Sequence, residues 1–166
     1  MKKSILGIIL LLISQFAFSQ SLTLTQLIDL NEMSWDNFDT YVINKEYSFT
    51  KTVKTKYKDG SFHYDNKTYS TKLNGLMASY FITKYISESS KSRMIRYQTA
   101  KSKDYAMLKK EISDLGFVST KNYSVSDSVI VFEYKKDEIQ LQVYSHLSKN
   151  AANTNSTVYE ICLTTY

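Results

Sequence analysis

The chain has 166 residues, 21 Lys and Arg against 16 Asp and Glu for a formal charge of +5, one cysteine, four glycines and no proline. A single cysteine excludes an intrachain disulfide, the scarcity of glycine speaks against a phosphate-cradling loop, and lysines scattered without a basic block speak against a nucleic-acid partner. Fourteen tyrosines and eight phenylalanines supply apolar area that disordered chains lack, and they suit half-buried faces of antiparallel sheet.

Lys2 and Lys3 precede an apolar run from Ile5 to Ile13 that only Gly7 interrupts. As a helix such a run of about nine residues rises about 14 Å, roughly half the hydrocarbon thickness, so it cannot span a bilayer. Residues 1–19 therefore read as a cleaved signal peptide, with Ala17-Phe18-Ser19 offering small residues for a cut after Ser19 or one residue later. Removing it takes away two lysines and no acid, which lowers the formal charge from +5 to +3. No cysteine lies near the cut to carry a lipid, and no later segment is long and apolar enough to span a membrane. The expectation is export to the periplasm or beyond the cell, with residues 20–166 folding as one α+β domain.

Thr23 or Thr25 is placed to cap a short helix through Met33, with Leu24, Leu27, Ile28 and Leu30 on its apolar stripe. Ser34, with Asp36 and Asn37, opens a second helix bearing Trp35, Phe38, Tyr41 and Val42 or Ile43, ending near Glu46. Period-two runs follow at Tyr47–Tyr57, Ser61–Lys67 after the Asp59-Gly60 turn, about Ala78–Ile86, and Arg93–Ala100. Leu76 to Ile86 also fits a helical face, and its place in the pattern decides for a strand. Ser102 and Asp104 begin a third helix that Gly116 stops, and strands are expected at Phe117–Ser124, Ser128–Lys135, Glu138–Leu147 and Ser156–Tyr166. Lys136-Asp137 is the expected tight turn and Ser148 to Asn155 a polar loop. Ser128 to Tyr134 is apolar on both faces and so reads as a central strand. Ile139, Leu141 and Val143 point to the core, with Gln140, Gln142 and Tyr144 opposite.

Helix-then-four-strands occurs twice, over residues 34–100 and 102–166, at a spacing of 65 to 68 residues counted between Tyr47-Ser48-Phe49 and Leu115-Gly116-Phe117 and between Arg93–Tyr97 and Val158–Cys162. The expected fold is α+β, a degenerate tandem αββββ repeat with helices packed on an antiparallel meander sheet.

The leader ending in Phe18-Ser19-Gln20, the segments Leu24-Thr25-Gln26-Leu27 and Ser34-Trp35-Asp36-Asn37-Phe38, and the step Ile112-Ser113-Asp114-Leu115-Gly116-Phe117 resemble uncharacterised secreted proteins of Bacteroidota. The expected architecture is similar in topology to the tandem α/β repeats of β-lactamase-inhibitor-protein-like folds and to the smaller outer-membrane assembly lipoproteins. Those bind proteins through an open sheet or a helix edge, which implies a binding role here; the lipoproteins' acylated cysteine has no counterpart in this chain.

Candidate chemistry is sparse. Ser61, His63 and Asp65 have the residue types of a hydrolytic triad, but residues two apart on a strand sit about 7 Å apart and point in parallel, which suits a solvated hairpin face better. His63, His146 and Cys162 have metal-binding side chains without a close ligand pair to anchor a site, so no metal or other cofactor is expected. Cys162 alternates with Ile161 and Leu163 and shares a face with Glu160, which reads as an inert thiol with an intermolecular disulfide as the alternative. Asp127-Ser128-Val129 fits an Asp-Ser/Thr-aliphatic glycosylation pattern that strand burial would oppose. Two functional expectations remain. The favoured one is a non-catalytic module binding another envelope or extracellular protein, with Tyr57, Tyr64, Tyr80, Tyr97 and Tyr144 as its interaction surface. The alternative is a small secreted hydrolase with a site around His63, His146 and Ser61.

Overall fold

In the computed structural model, which describes residues 21–56, 63–71, 78–87, 92–149 and 155–166, the chain enters helix α1 (Leu24–Glu32) through a reciprocal cap. The Thr23 hydroxyl accepts from the Gln26 backbone N–H while the Gln26 side chain accepts from the Thr23 backbone N–H, satisfying two of the helix's orphan amides. A third partner comes from afar, since Leu24 N–H donates to Glu111 Oε2 of a later helix at 2.5 Å. Helix α2 (Trp35–Asn44) begins where Ser34 accepts from Asn37 N–H, with Asp36 in the first turn, where the helix dipole favours an acid. Helix α3 (Ser102–Asp114) has Lys101 at its N-cap position without a side-chain cap, so Ser102 is its first helical residue. It closes on Gly116 at φ +79°, with Gly116 N–H donating to Ser113 O and Phe117 N–H to Ile112 O. This is a Schellman C-cap.

The eight strands are β1 (Tyr47–Lys56), β2 (His63–Thr71), β3 (Tyr80–Ser87), β4 (Arg93–Thr99), β5 (Val118–Ser126), β6 (Val129–Lys136), β7 (Ile139–Lys149) and β8 (Asn155–Thr165). They form one antiparallel sheet in the order β1-β2-β3-β4-β8-β7-β6-β5. Each half is thus a meander, and the halves meet where β4 pairs with β8, placing Ile95 beside Leu163 and Tyr97 beside Ile161. The fold class is α+β, as expected. Residues 34–100 and 102–166 each run one helix and then four strands, and α1 precedes the first of these units.

The three described helices lie on one face. Helix α1 packs across β4 and β8, α2 on β1, and α3 on β4 and β8. Their apolar stripes meet alternate strand residues in a core that includes Leu24, Leu27, Leu30, Phe38, Ile95 and Leu163. Leu141 and Val143 join this core, and Ile139 packs at its margin. Among the described residues no helix packs broadly on β5 or β6, and Val118 and Val125 of the edge strand stay exposed.

Three expectations shift. Strand β2 continues to Thr71, four residues beyond Lys67, because that segment pairs with β1 and β3 at once. The β6–β7 turn lies at Asp137-Glu138, one residue late, with Asp137 at φ +51°. Strand β6 is not central but second from the edge. Its two apolar faces have separate causes. Phe132 and Tyr134 lean on the core, whereas Val131 is buried on the other face, in register between Tyr123 and Tyr144. Ser128 lies in the exposed β5–β6 turn, so the burial expected to oppose modification there is absent. Residues 1–20, which include the expected signal peptide 1–19, the expected Asp59-Gly60 turn and residues 150–154 of the expected polar loop lie outside the described residues.

Candidate binding face

Among the described residues no helix lies over the face of the sheet opposite α1, α2 and α3, and the side chains of that face are set by strand register. One row runs from Lys51 at the β1 edge through Thr83 and Arg96 to Cys162, Gln142 and Lys121 at the β5 edge. The adjoining row carries Phe81, Gln98, Glu160, Tyr144, Val131 and Tyr123.

Glu160 stands at the seam and is 5 % exposed, although no described helix covers it. Its Oε1 lies 3.3 Å from Arg96 Nε, and its Oε2 accepts a hydrogen bond from the Gln98 side-chain amide. Both partners come from β4, so the β4–β8 pairing itself assembles the trio. Cys162, 5 % exposed, sits beside Arg96 in register. Burial pushes the thiol above its ordinary pKa of 9.0 against the opposing pull of Arg96, so it is protonated near neutrality and a poor nucleophile.

Toward β5 the polar groups form a chain. Tyr144 Oη donates to Gln142 Oε1 at 2.9 Å, Gln142 Nε2 donates to Glu133 Oε1 at 2.9 Å, and Tyr123 Oη donates to the same oxygen at 3.1 Å. Burial raises the Tyr144 pKa, and the bond to Glu133 raises that of Tyr123, so both phenols remain neutral donors.

Toward β1 the face sinks into a cleft of about 530 Å³ lined by Thr50, Lys51, Val53, Asn66, Thr68, Phe81, Thr83, Tyr85, Arg96 and Gln98. Asn66 and Thr68 are buried in its floor, and the hydroxyls of Thr68 and Thr83 are hydrogen-bonded at 3.0 Å. A register shift between Phe49 and Lys51 inserts Thr50 into the edge strand. Such a bulge turns successive side chains the same way, and both Thr50 and Lys51 line the cleft. A second depression of about 530 Å³ at the β6–β7 turn mixes Lys135 with Asp137 and Glu138.

Of the tyrosines expected at an interaction surface, Tyr144 lies on this face. Tyr80 and Tyr97, 3 % and 0 % exposed, do not: they stack at 6.0 Å inside the core on the helix side. Each lies two residues from a buried isoleucine of its own strand, Ile82 or Ile95, and so shares that core face. Tyr57 and the side chain of Tyr64 lie outside the described residues. Ser61 lies outside them too, and of His63 only the backbone is described, at the start of β2. His146 is in β7, its ring stacked on Tyr144 at 5.8 Å. Strands β2 and β7 are four places apart in the sheet, about 19 Å at ordinary strand spacing, and the two histidines fall at opposite ends of it. They do not converge on one pocket, which removes the geometry that a hydrolase built on both would need. Asp65 lines a separate shallow depression beside Trp35 and Lys67. Among the described residues no group of three or more His, Cys, Asp or Glu is placed to hold a metal ion, and no helix is long and apolar enough to cross a membrane.

The trio of Arg96, Gln98 and Glu160 was not singled out by sequence reasoning. The signal was present as polar residues alternating with Ile95, Tyr97, Ile161 and Leu163, but only the strand order joins the two segments. Comparison of the chain with models of known protein families, with curated proteins and with solved structures yields no match.

Proposed function

We propose that the protein is an exported, non-catalytic binding module whose working surface is the uncovered sheet face. The observation that carries this reading is the Arg96–Glu160–Gln98 cluster, a nearly buried carboxylate held on a face that no described helix covers. Burying charge there gains little stability over an apolar pair. Rigidly held polar groups are instead what a recognition surface needs, because they bind without further ordering. Among the described residues, the separation of β2 from His146 and the protonated thiol of Cys162 support a binding role over a catalytic one. Export rests on the composition of the first 19 residues, and it places the partner in the envelope or outside the cell. The matching element order of the two halves supports an ancient duplication, and with it the likeness to tandem α/β repeats that bind proteins through an open sheet.

Capture from envelope fractions tests the reading. Full-length tagged protein and its Met107→Ala control, altered on a helix, are expected to retain the same specific partner, while Phe81→Ala with Tyr85→Ala loses it. Retention unaffected by the sheet-face changes, or no specific partner at all, would overturn it. Export is checked on the same material by N-terminal sequencing, which should begin at Gln20 or Ser21 and not at Met1.

A further inference from the structure

We infer that the cleft between β1 and β4 is a binding site for a short acidic oligosaccharide; this deepens the binding role proposed above and rests on it. The cleft's volume of about 530 Å³ falls within the usual range for small-ligand pockets. Among the described residues its lining includes two cations, Lys51 and Arg96, and no carboxylate. Glu160 engages Arg96 at Nε from outside that lining. A guanidinium has five N–H donors, more than one carboxylate takes up, and this side chain is 43 % exposed. Three strand spacings separate Lys51 from Arg96, about 14 Å, so the two cations suit an extended ligand with anionic groups toward both ends.

Between the cations the chemistry is that of hydroxyl recognition. Thr50, Asn66, Thr68, Thr83 and Gln98 line this stretch; the bonds Thr68–Thr83, Thr50–Ser70 and Gln98–Glu160 hold four of them in place and leave lone pairs and the Gln98 amide oxygen, with Asn66, to meet sugar hydroxyls. Phe81, 37 % exposed, and Tyr85 add flat apolar surface on which the C–H face of a pyranose ring can rest. An acidic peptide shares the anionic groups but fits less well. Extended peptides dock by main-chain hydrogen bonds along a sheet edge, whereas the main-chain groups of β2, β3 and β4 are spent on their strand neighbours. Two cations are too few for the phosphate tracking by which nucleic acids bind.

Calorimetry on the full-length chain, expressed for export and purified, tests the site with three probes: trigalacturonate, the neutral trisaccharide of galactose, and tetraglutamate. Trigalacturonate should bind at least tenfold more tightly than the other two, more weakly as salt rises. Lys51→Glu, a change at an exposed edge position, should reduce its affinity tenfold or more, as should Arg96→Gln, while Lys121→Gln at the opposite edge leaves it unchanged. Circular dichroism melting confirms that each variant is folded. Preference for tetraglutamate, equal binding of the neutral sugar, no binding, or indifference to Lys51→Glu would each overturn the assignment. If trigalacturonate fails while Phe81→Ala with Tyr85→Ala still loses the captured envelope partner, the ligand class is wrong and the binding face stands; if both fail, both readings fall.

Discussion

Lys84 is completely buried on the helix side of β3, and its Nζ donates to the carbonyls of Leu30, Asn31 and Met33 at 2.6, 2.8 and 2.6 Å. These carbonyls belong to the C-terminal end of α1, which lacks partners for its last turn and carries the negative end of the helix dipole. One ammonium thus terminates α1 and ties it to the sheet. Phe38 adds its ring face 5.4 Å from the same nitrogen. Lys84→Met keeps the bulk and leaves the carbonyls unpaired, so urea unfolding at pH 7 should show a loss of about 2 kcal/mol. Burial, with Arg93 adding to it and Glu32 opposing, pushes the amine down from 10.5 to about 8. A lysine whose folded value lies below its unfolded one releases its proton on folding between the two, so its contribution to stability rises as pH climbs from about 8 to 10.5. The stability difference between wild type and Lys84→Met should therefore grow by about 3 kcal/mol across that window. A difference flat with pH would contradict the burial argument. The buried phenols of Tyr47, Tyr80 and Tyr97 act in the opposite sense: burial raises each above its ordinary 10.0. The fold keeps these protons where the unfolded chain has lost them, so all variants should lose stability above pH 10.

At the scale of elements, the ends of the helices were legible from local chemistry. Thr23 with Gln26, Ser34 with Asp36, and Gly116 act within one turn of chain, and each sits where its residue type places it. Gly116 offers a clean measurement. A methyl group added there would meet nothing within 4 Å, so Gly116→Ala should destabilise only through its positive φ, by about 1 kcal/mol in thermal or urea unfolding. Gly116→Asn should lose less, since asparagine tolerates the left-handed region. A much larger loss for alanine would point to a steric conflict. The strands were legible in number and order for the same reason, since alternation is local. Their rank within the sheet was not. The centrality expected of β6 came from apolarity on both faces, whereas β4 and β8 hold the centre with Arg96, Gln98, Glu160 and Cys162 on one face. A polar face there disguises a central strand as an edge.

For the whole molecule the decisive contact is the β4–β8 seam. Helix α1 lies across it, Glu111 of the second half caps α1 of the first, and Asn31 of α1 donates to Thr165 Oγ1 of β8 at 3.1 Å. Either half alone would expose a full strand edge and part of its core. Fragments 21–100 and 102–166 are therefore expected to lack cooperative unfolding when separate and to regain one transition when mixed, as monitored by circular dichroism and tyrosine fluorescence. Independent folding of either would show the seam to be dispensable. Sequence by itself determined what neighbours along the chain can settle: α+β class, the three helices and eight strands of the described residues, the face on which Ile139, Leu141 and Val143 lie, and the mismatch between the apolar run Ile5 to Ile13 and the thickness of a bilayer. Tertiary structure decided what depends on residues far apart meeting: that β4 and β8 are partners, that Tyr80 and Tyr97 are core, that His63 and His146 stay apart, and that Arg96 and Gln98 find Glu160. Alternation assigns a side chain to one of two faces, but which face the helices cover, and which strand lies alongside, are set by the burial of apolar area over the whole sheet.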